Sequence, residues 1–139
     1  MEKILGLDIG EKRIGVAMSD LLGMFAQPVR TIERKSNDSA LREIAEILAK
    51  EGVVKVVVGL PKNMDGSEGY QAEYTRRFAE KLKERYPTME LIYRDERLTS
   101  RMARQSLSHI RMEKAKEKKL IDTVAAVHIL QNYLDARPK

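Results

Sequence analysis

The chain has 139 residues, about the length of one ordinary domain, and 42% of them are hydrophobic, enough for a core. Its 26 Lys and Arg against 21 Asp and Glu give a net charge of +5, which favours an anionic partner. There is no Cys, so disulfides and thiolate metal sites are excluded. No apolar run reaches the ~20 residues a membrane helix needs. The first apolar run is too short for a signal peptide and contains Asp8, so a cytoplasmic location without a membrane partner is expected.

Ile4-Leu5-Gly6-Leu7-Asp8-Ile9 reads as part of a buried first strand over about 3–9. Second and third strands are expected over about 13–19 and 24–32. Asp38-Ser39 is read as the cap of a first helix, with Leu41, Ile44, Ala45 and Leu48 on one face and Gly52 past its end. Val53-Val54-Lys55-Val56-Val57-Val58 is β-branched almost throughout and fits a central parallel strand covered on both faces, ended by Gly59-Leu60-Pro61. A loop over 62–67 leads to a helix of roughly 68–85, with Ala72, Phe78, Ala79 and Leu82 as its apolar face. A short strand over 90–94 follows, then Asp95-Glu96-Arg97 and a short helix capped by Thr99 or Ser100. Residues 110–119 carry five basic and two acidic side chains and are expected to form a mobile basic loop, and a last helix is expected over about 119–136.

The order βββαβαβαα implies an α/β fold, a single domain spanning 1–139. Strands one, four and five run parallel in a five-stranded mixed sheet with helices on both faces. Strands two and three are added antiparallel on one edge. In such a sheet ligands sit beyond the carboxyl ends of the strands. Asp8, the 59–67 loop and Asp95-Glu96 all fall at such ends.

A buried carboxylate without a partner is costly, so Asp8 requires a cation or a strong hydrogen-bond partner. Lys12 or Arg13 would suffice for a structural role; a shared metal site is the functional alternative. On a helix, Asp122 lies within about 60° of Ala125, Ala126, Ile129 and Tyr133, so it shares the apolar side. Stabilisation of the helix N-terminus is the competing explanation for Asp122. Asp95 and Glu96 point to opposite faces of a strand, so one of them is expected at the site. Glu96 is preferred for its longer arm. Three such acids suit Mg²⁺, held by carboxylates and substrate phosphate oxygens, and two ions would support phosphodiester cleavage. Lys12, Arg13, Lys62, Arg97, Arg101 and Arg104 would ring the site and hold a polyanion backbone, although each alone is equally an ordinary surface charge. His109 and His128 have no partners at ligand spacing. Aromatic residues, at 5%, are too few for a base-stacking platform of the single-strand-binding kind.

Four segments together resemble the YqgF family, also called the RuvX or Holliday junction resolvase-like family. They are Gly6-Leu7-Asp8-Ile9-Gly10-Glu11-Lys12-Arg13-Ile14-Gly15-Val16-Ala17, Val57-Val58-Gly59-Leu60-Pro61-Lys62-Asn63-Met64-Asp65-Gly66-Ser67, Asp95-Glu96-Arg97-Leu98-Thr99-Ser100, and Asp122-Thr123-Val124-Ala125-Ala126 with Ile129-Leu130. Their order and spacing cover nearly the whole chain. The resemblance implies a ribonuclease H-like fold and a cytosolic nuclease linked in bacteria to maturation of the 5′ end of pre-16S rRNA. It also implies that Asp8, one or both of Asp95 and Glu96, and Asp122 hold one or two Mg²⁺ or Mn²⁺ ions. Related junction resolvases carry a second acid three residues further along the last helix, where this chain has Ala125. Structured RNA is the leading substrate, with Lys114, Lys116, Lys118 and Lys119 as further contacts. A four-way DNA junction, cut by a two-fold dimer, is the alternative enzyme reading. A non-catalytic ribosome-assembly factor is the alternative of a different class. Monomer and homodimer both remain open.

Overall fold

The computed structural model describes residues 2–63, 65–96 and 114–137, with 114–122 described as backbone alone. Its strands are β1 (Lys3–Ile9), β2 (Arg13–Ser19), β3 (Ala26–Glu33), β4 (Val53–Leu60) and β5 (Glu90–Asp95). The helices among the described residues are α1 (Asn37–Glu51), α2 (Tyr70–Arg85) and α3 (Lys114–Ala136). The five strands form one sheet in the order β3-β2-β1-β4-β5. β1 pairs antiparallel with β2 and parallel with β4, and β4 pairs parallel with β5. The expected mixed sheet is therefore present, and the valine-rich strand lies inside it, between β1 and β5.

Alternation along β1 and β4 explains the two layers. Leu5, Leu7, Ile9, Val56 and Val58 point to one face, where Leu41, Ile44 and Leu48 of α1 and Phe78, Ala79 and Leu82 of α2 bury them. Ile4 and Val57 point to the other face and pack with Ala126, Ile129, Leu130 and Leu134 of α3. Gly6 falls on this second face. A Cβ there would stand 2.7 Å from Leu130 Cβ and 3.1 Å from the Ala126 carbonyl oxygen. The missing side chain lets α3 lie directly on the centre of the sheet. Among the described residues, no helix is long and apolar enough to cross a membrane.

Several boundaries differ from the sequence expectations. The cap of α1 is Ser36, whose hydroxyl accepts from Ser39 N at 3.0 Å while Ser39 Oγ accepts from Ser36 N at 3.3 Å. Asp38 sits in the first turn and bonds Arg42 and Arg85. Two serines three apart satisfy each other's backbone donors, which frees the acid for lateral ion pairs. α2 begins at Tyr70 with Gly69 as its cap. β4 does not end at Gly59: Gly59 and Leu60 pair with Arg94 and Asp95 of β5.

The largest correction concerns the basic segment. Residues 114–119, expected in a loop, are the first turns of α3. Lys, Glu and Ala are among the stronger helix formers, so an adjoining helix extends through them even without an apolar face. Residues 110–113 lie outside the described residues, as do Thr99, Ser100 and His109.

Candidate active site

Three strands deliver the site. Asp8 is the sixth residue of β1 and lies, half-buried, on the face that carries Gly6 and Ile4, toward α3. Gly59 of β4 lies on the same face as Val57. A Cβ at Gly59 would meet Ile129 Cδ1 at 2.3 Å and Glu96 Oε2 at 2.8 Å. The absent side chain therefore leaves the space that the Glu96 carboxyl occupies. Glu96 follows β5, and its backbone N donates to the Leu60 carbonyl at 3.2 Å, extending the parallel ladder by one bond. Asp95, the preceding residue, is exposed. Of the two neighbouring acids, Glu96 is the one brought to Asp8.

The two carboxyls hydrogen-bond each other. Burial is the main cause that pushes Glu96 up to about 9 from its ordinary 4.5. The Asp8 charge, the hydrogen bond with Asp8 and the Asp95 charge add to it. Near neutral pH the metal-free pair thus holds a proton, with Glu96 as donor. Glu96 Oε2 is sealed from solvent without a hydrogen-bond partner among the described residues. A buried oxygen left open in this way, beside a second carboxylate, matches what a hard divalent cation takes as ligands.

Asp122 enters through its position in the backbone. Gly15 of β2 stands in register with both Asp8 of β1 and Thr31 of β3. Thr31 Oγ1 and Thr123 Oγ1 are 2.7 Å apart. The turn of α3 containing 122 and 123 is thereby set on the row of the sheet that Asp8 occupies. α3 begins at Lys114, eight residues earlier, so first-turn macrodipole stabilisation does not account for an acid at 122. The Asp122 side chain lies outside the described residues. Among those described, no group of three acids or histidines gathers as a metal site; Asp8 and Glu96 form a pair. Ala125, one turn further along α3, is fully buried and brings no further acid to the site.

Of the cations, Lys12 is exposed in the β1–β2 turn, and Arg13, half-buried, opens β2. Lys62 follows β4 at the same end of the sheet. Arg97, Arg101 and Arg104 lie outside the described residues. Lys114, Lys116, Lys118 and Lys119 lie in the first turns of α3. His128 is half-buried on α3. Sequence reasoning missed Gly59 as a wall of the site, because a glycine after five valines and a lysine reads as a strand end.

The raised Glu96 value has a measurable sign. A group whose folded value is raised contributes stability fully present below its ordinary value, here 4.5, and lost as pH rises toward 9. Metal-free Glu96→Gln should therefore melt close to wild type near pH 5 and increasingly above it as pH approaches 9. Parallel melting curves in EDTA check this. A constant difference between the two proteins across that range would mean that Glu96 titrates as an exposed acid.

A family model described as RuvX: Holliday junction resolvase matches residues 2–136. The chain belongs to the RuvX family. Two curated relatives, from Staphylococcus aureus (strain bovine RF122 / ET3-1) and Staphylococcus saprophyticus, are each 43% identical over 136 residues, 96% of both chains. Both carry the provisional name pre-16S rRNA nuclease. Among solved structures, T. thermophilus RuvC in complex with a Holliday junction substrate aligns with a TM-score of 0.62 at 12% identity, over 99% of this chain and 96% of that one. The fowlpox virus Holliday junction resolvase aligns at 0.60 and 13%, over 97% and 99%. At such identities the likeness is one of fold: a ribonuclease H-like sheet and helix arrangement shared with the resolvases.

Proposed function

We propose that this RuvX-family chain is a divalent-metal-dependent endonuclease on structured nucleic acid, acting as one domain over 1–139, with the 5′ end of precursor 16S rRNA as its substrate. The observation that carries the reading is the hydrogen-bonded Asp8–Glu96 carboxyl pair, with Glu96 Oε2 sealed against Gly59 where β1, β4 and β5 end. Asp8 and Glu96 would hold Mg²⁺ or Mn²⁺ together with Asp122, and Asp95 is left as an outer neighbour. Such a cation supplies an activated water and a counter-charge for the leaving oxygen. The chain's own part is to keep two like carboxylates together, to exclude water around Glu96 Oε2, and to surround them with cations for the substrate backbone. Lys12, Arg13 and Lys62 supply that charge among the described residues, with Arg97, Arg101 and Arg104 following in sequence. The names of the 43% identical relatives support precursor rRNA.

Cleavage of a precursor 16S rRNA fragment and of a four-way DNA junction, side by side with Mg²⁺ or Mn²⁺, tests the proposal. RNA cleavage at the 5′ extension is expected. Junction cleavage by a two-fold dimer would instead select the resolvase reading, which the family description favours. No cleavage of either, with binding retained, would select an assembly factor.

The basic start of α3 is proposed as a backbone contact. Replacing Lys114, Lys116, Lys118 and Lys119 with Ala keeps helix propensity, so affinity should fall without loss of the helix. Each lost phosphate contact should reduce the log–log salt slope by ~0.7–0.9. Binding isotherms at four salt concentrations measure it, and an unchanged slope would confine these lysines to solvation.

A further inference from the structure

Arg34, just past the end of β3, ties together three segments that meet at the carboxyl end of β1. Its backbone N donates to the Lys12 carbonyl at 2.8 Å. Its Nη1 donates to the Gly10 carbonyl at 2.7 Å, and its Nη2 donates to Asn37 Oδ1 at the start of α1. Its guanidinium carbon lies 4.9 Å from the Tyr74 ring centre and 4.7 Å from that of Phe78, both on α2. The partners of the guanidinium among the described residues are thus two carbonyl-type oxygens and two aromatic faces. Each suits a planar, forked cation, and a lysine cannot meet them all at once.

The turn that Arg34 grips is the one into which β1 runs. Asp8 and Gly10 are separated by Ile9 alone. The turn closes on itself through Gly10 N donating to the Arg13 carbonyl at 2.9 Å. A longer exposed bond at 3.4 Å, from Gln71 Nε2 to Glu11 Oε1, adds a link to α2. Arg34 adds two links, one through its backbone and one through its side chain. Phe78 is buried against the β1 face opposite Asp8, so the guanidinium is anchored to the rigid core. Displacement of the Gly10 carbonyl would move the end of β1, and with it the Asp8 carboxylate relative to Glu96.

We infer that Arg34 is a positioning residue for the Asp8–Glu96 site, clasping the Gly10 turn against α1 and α2 and so fixing where Asp8 stands. The inference rests on the nuclease reading of that pair. Groups that orient a ligand from behind typically cost 10–100-fold in metal affinity or activity when removed.

The test compares full-length wild type, Arg34→Lys and Arg34→Ala. Arg34→Lys keeps the charge and the aliphatic stem, so it serves if Arg34→Ala folds poorly. Four quantities are read: Mn²⁺ affinity by calorimetry without nucleic acid, nucleic-acid affinity in EDTA, kcat with KM, and melting temperature. The expected result for Arg34→Lys is an about 10-fold loss of Mn²⁺ affinity and of kcat, with KM and metal-free nucleic-acid affinity unchanged. If KM and metal-free binding weaken while Mn²⁺ affinity holds, Arg34 contacts substrate and the inference is overturned. It is also overturned if only the melting temperature falls, since Arg34 is then a structural clasp alone. If wild type binds Mn²⁺ but cleaves nothing, the nuclease reading fails, and the Mn²⁺ affinities still decide the role of Arg34. A wild type that binds no Mn²⁺ overturns both.

Discussion

Asp8→Asn is expected to cut cleavage by ~10³-fold or more while the protein stays folded. The substitution keeps shape and removes a negative oxygen from a site proposed to hold a divalent cation. At ~1.4 kcal/mol per tenfold change in rate, the loss corresponds to roughly 4 kcal/mol of transition-state stabilisation. Stability should move the other way or stay level. In the metal-free protein near neutral pH Glu96 carries the proton and the amide oxygen of Asp8→Asn can still accept from it, while as pH rises toward 9 the substitution removes a like-charge contact. Metal-free affinity for nucleic acid should hold or rise, since a charge that repels phosphate has gone. Cleavage rates, melting curves in EDTA and binding in EDTA check the three parts together. A variant that fails to fold would make Asp8 a structural group.

Gly59→Ala should damage the site through packing alone. The new methyl would start 2.3 Å from Ile129 Cδ1, 2.9 Å from Ile129 Cγ1 and 2.8 Å from Glu96 Oε2. Ile129 is 2% exposed and packed on α3, so it has little room to retreat. Overpacking of this kind costs about 1–3 kcal/mol. The Glu96 carboxyl is the other group that can yield, and a displacement near 1 Å at a catalytic group costs on the order of 100-fold in rate. The expected outcome is a modest fall in melting temperature with a disproportionate loss of kcat. Equal rates for Gly59→Ala and wild type would show that Glu96 has slack and that its placement against Gly59 does not matter.

The sheet was legible because its signals are local and strong. Apolar alternation and β-branching marked β1, β2 and β4, and the strand–helix–strand order after residue 33 leaves few topologies once crossovers are right-handed. Asp8 stood out because an acid in an apolar strand conflicts with its surroundings. The start of α3 was misread because a basic run without an apolar stripe looks like a solvated loop, while helix propensity and the adjoining helix determined the outcome. Ser36 was overlooked as a cap because Asp38 is a good capping residue close by, and only geometry shows the reciprocal bonds with Ser39. The roles of Gly59 and Arg34 could not be read from sequence at all. One depends on β5 and α3 closing over β4. The other depends on α1, α2 and the β1–β2 turn meeting around one side chain. Both are contacts between segments far apart in the chain, with no periodicity to announce them.

If Asp8 and Glu96 together hold a cation, metal binding has to release a proton, and that release is the most direct test of the pair. At pH 7 Glu96 keeps its proton in the metal-free protein, and a cation taking both carboxylates as ligands has to displace it. Mn²⁺ titrated into wild type by calorimetry in buffers of different ionisation enthalpy should release about one proton per site, and Glu96→Gln should release none there. Tight Mn²⁺ binding with no proton released, or equal release from wild type and Glu96→Gln, would contradict the account.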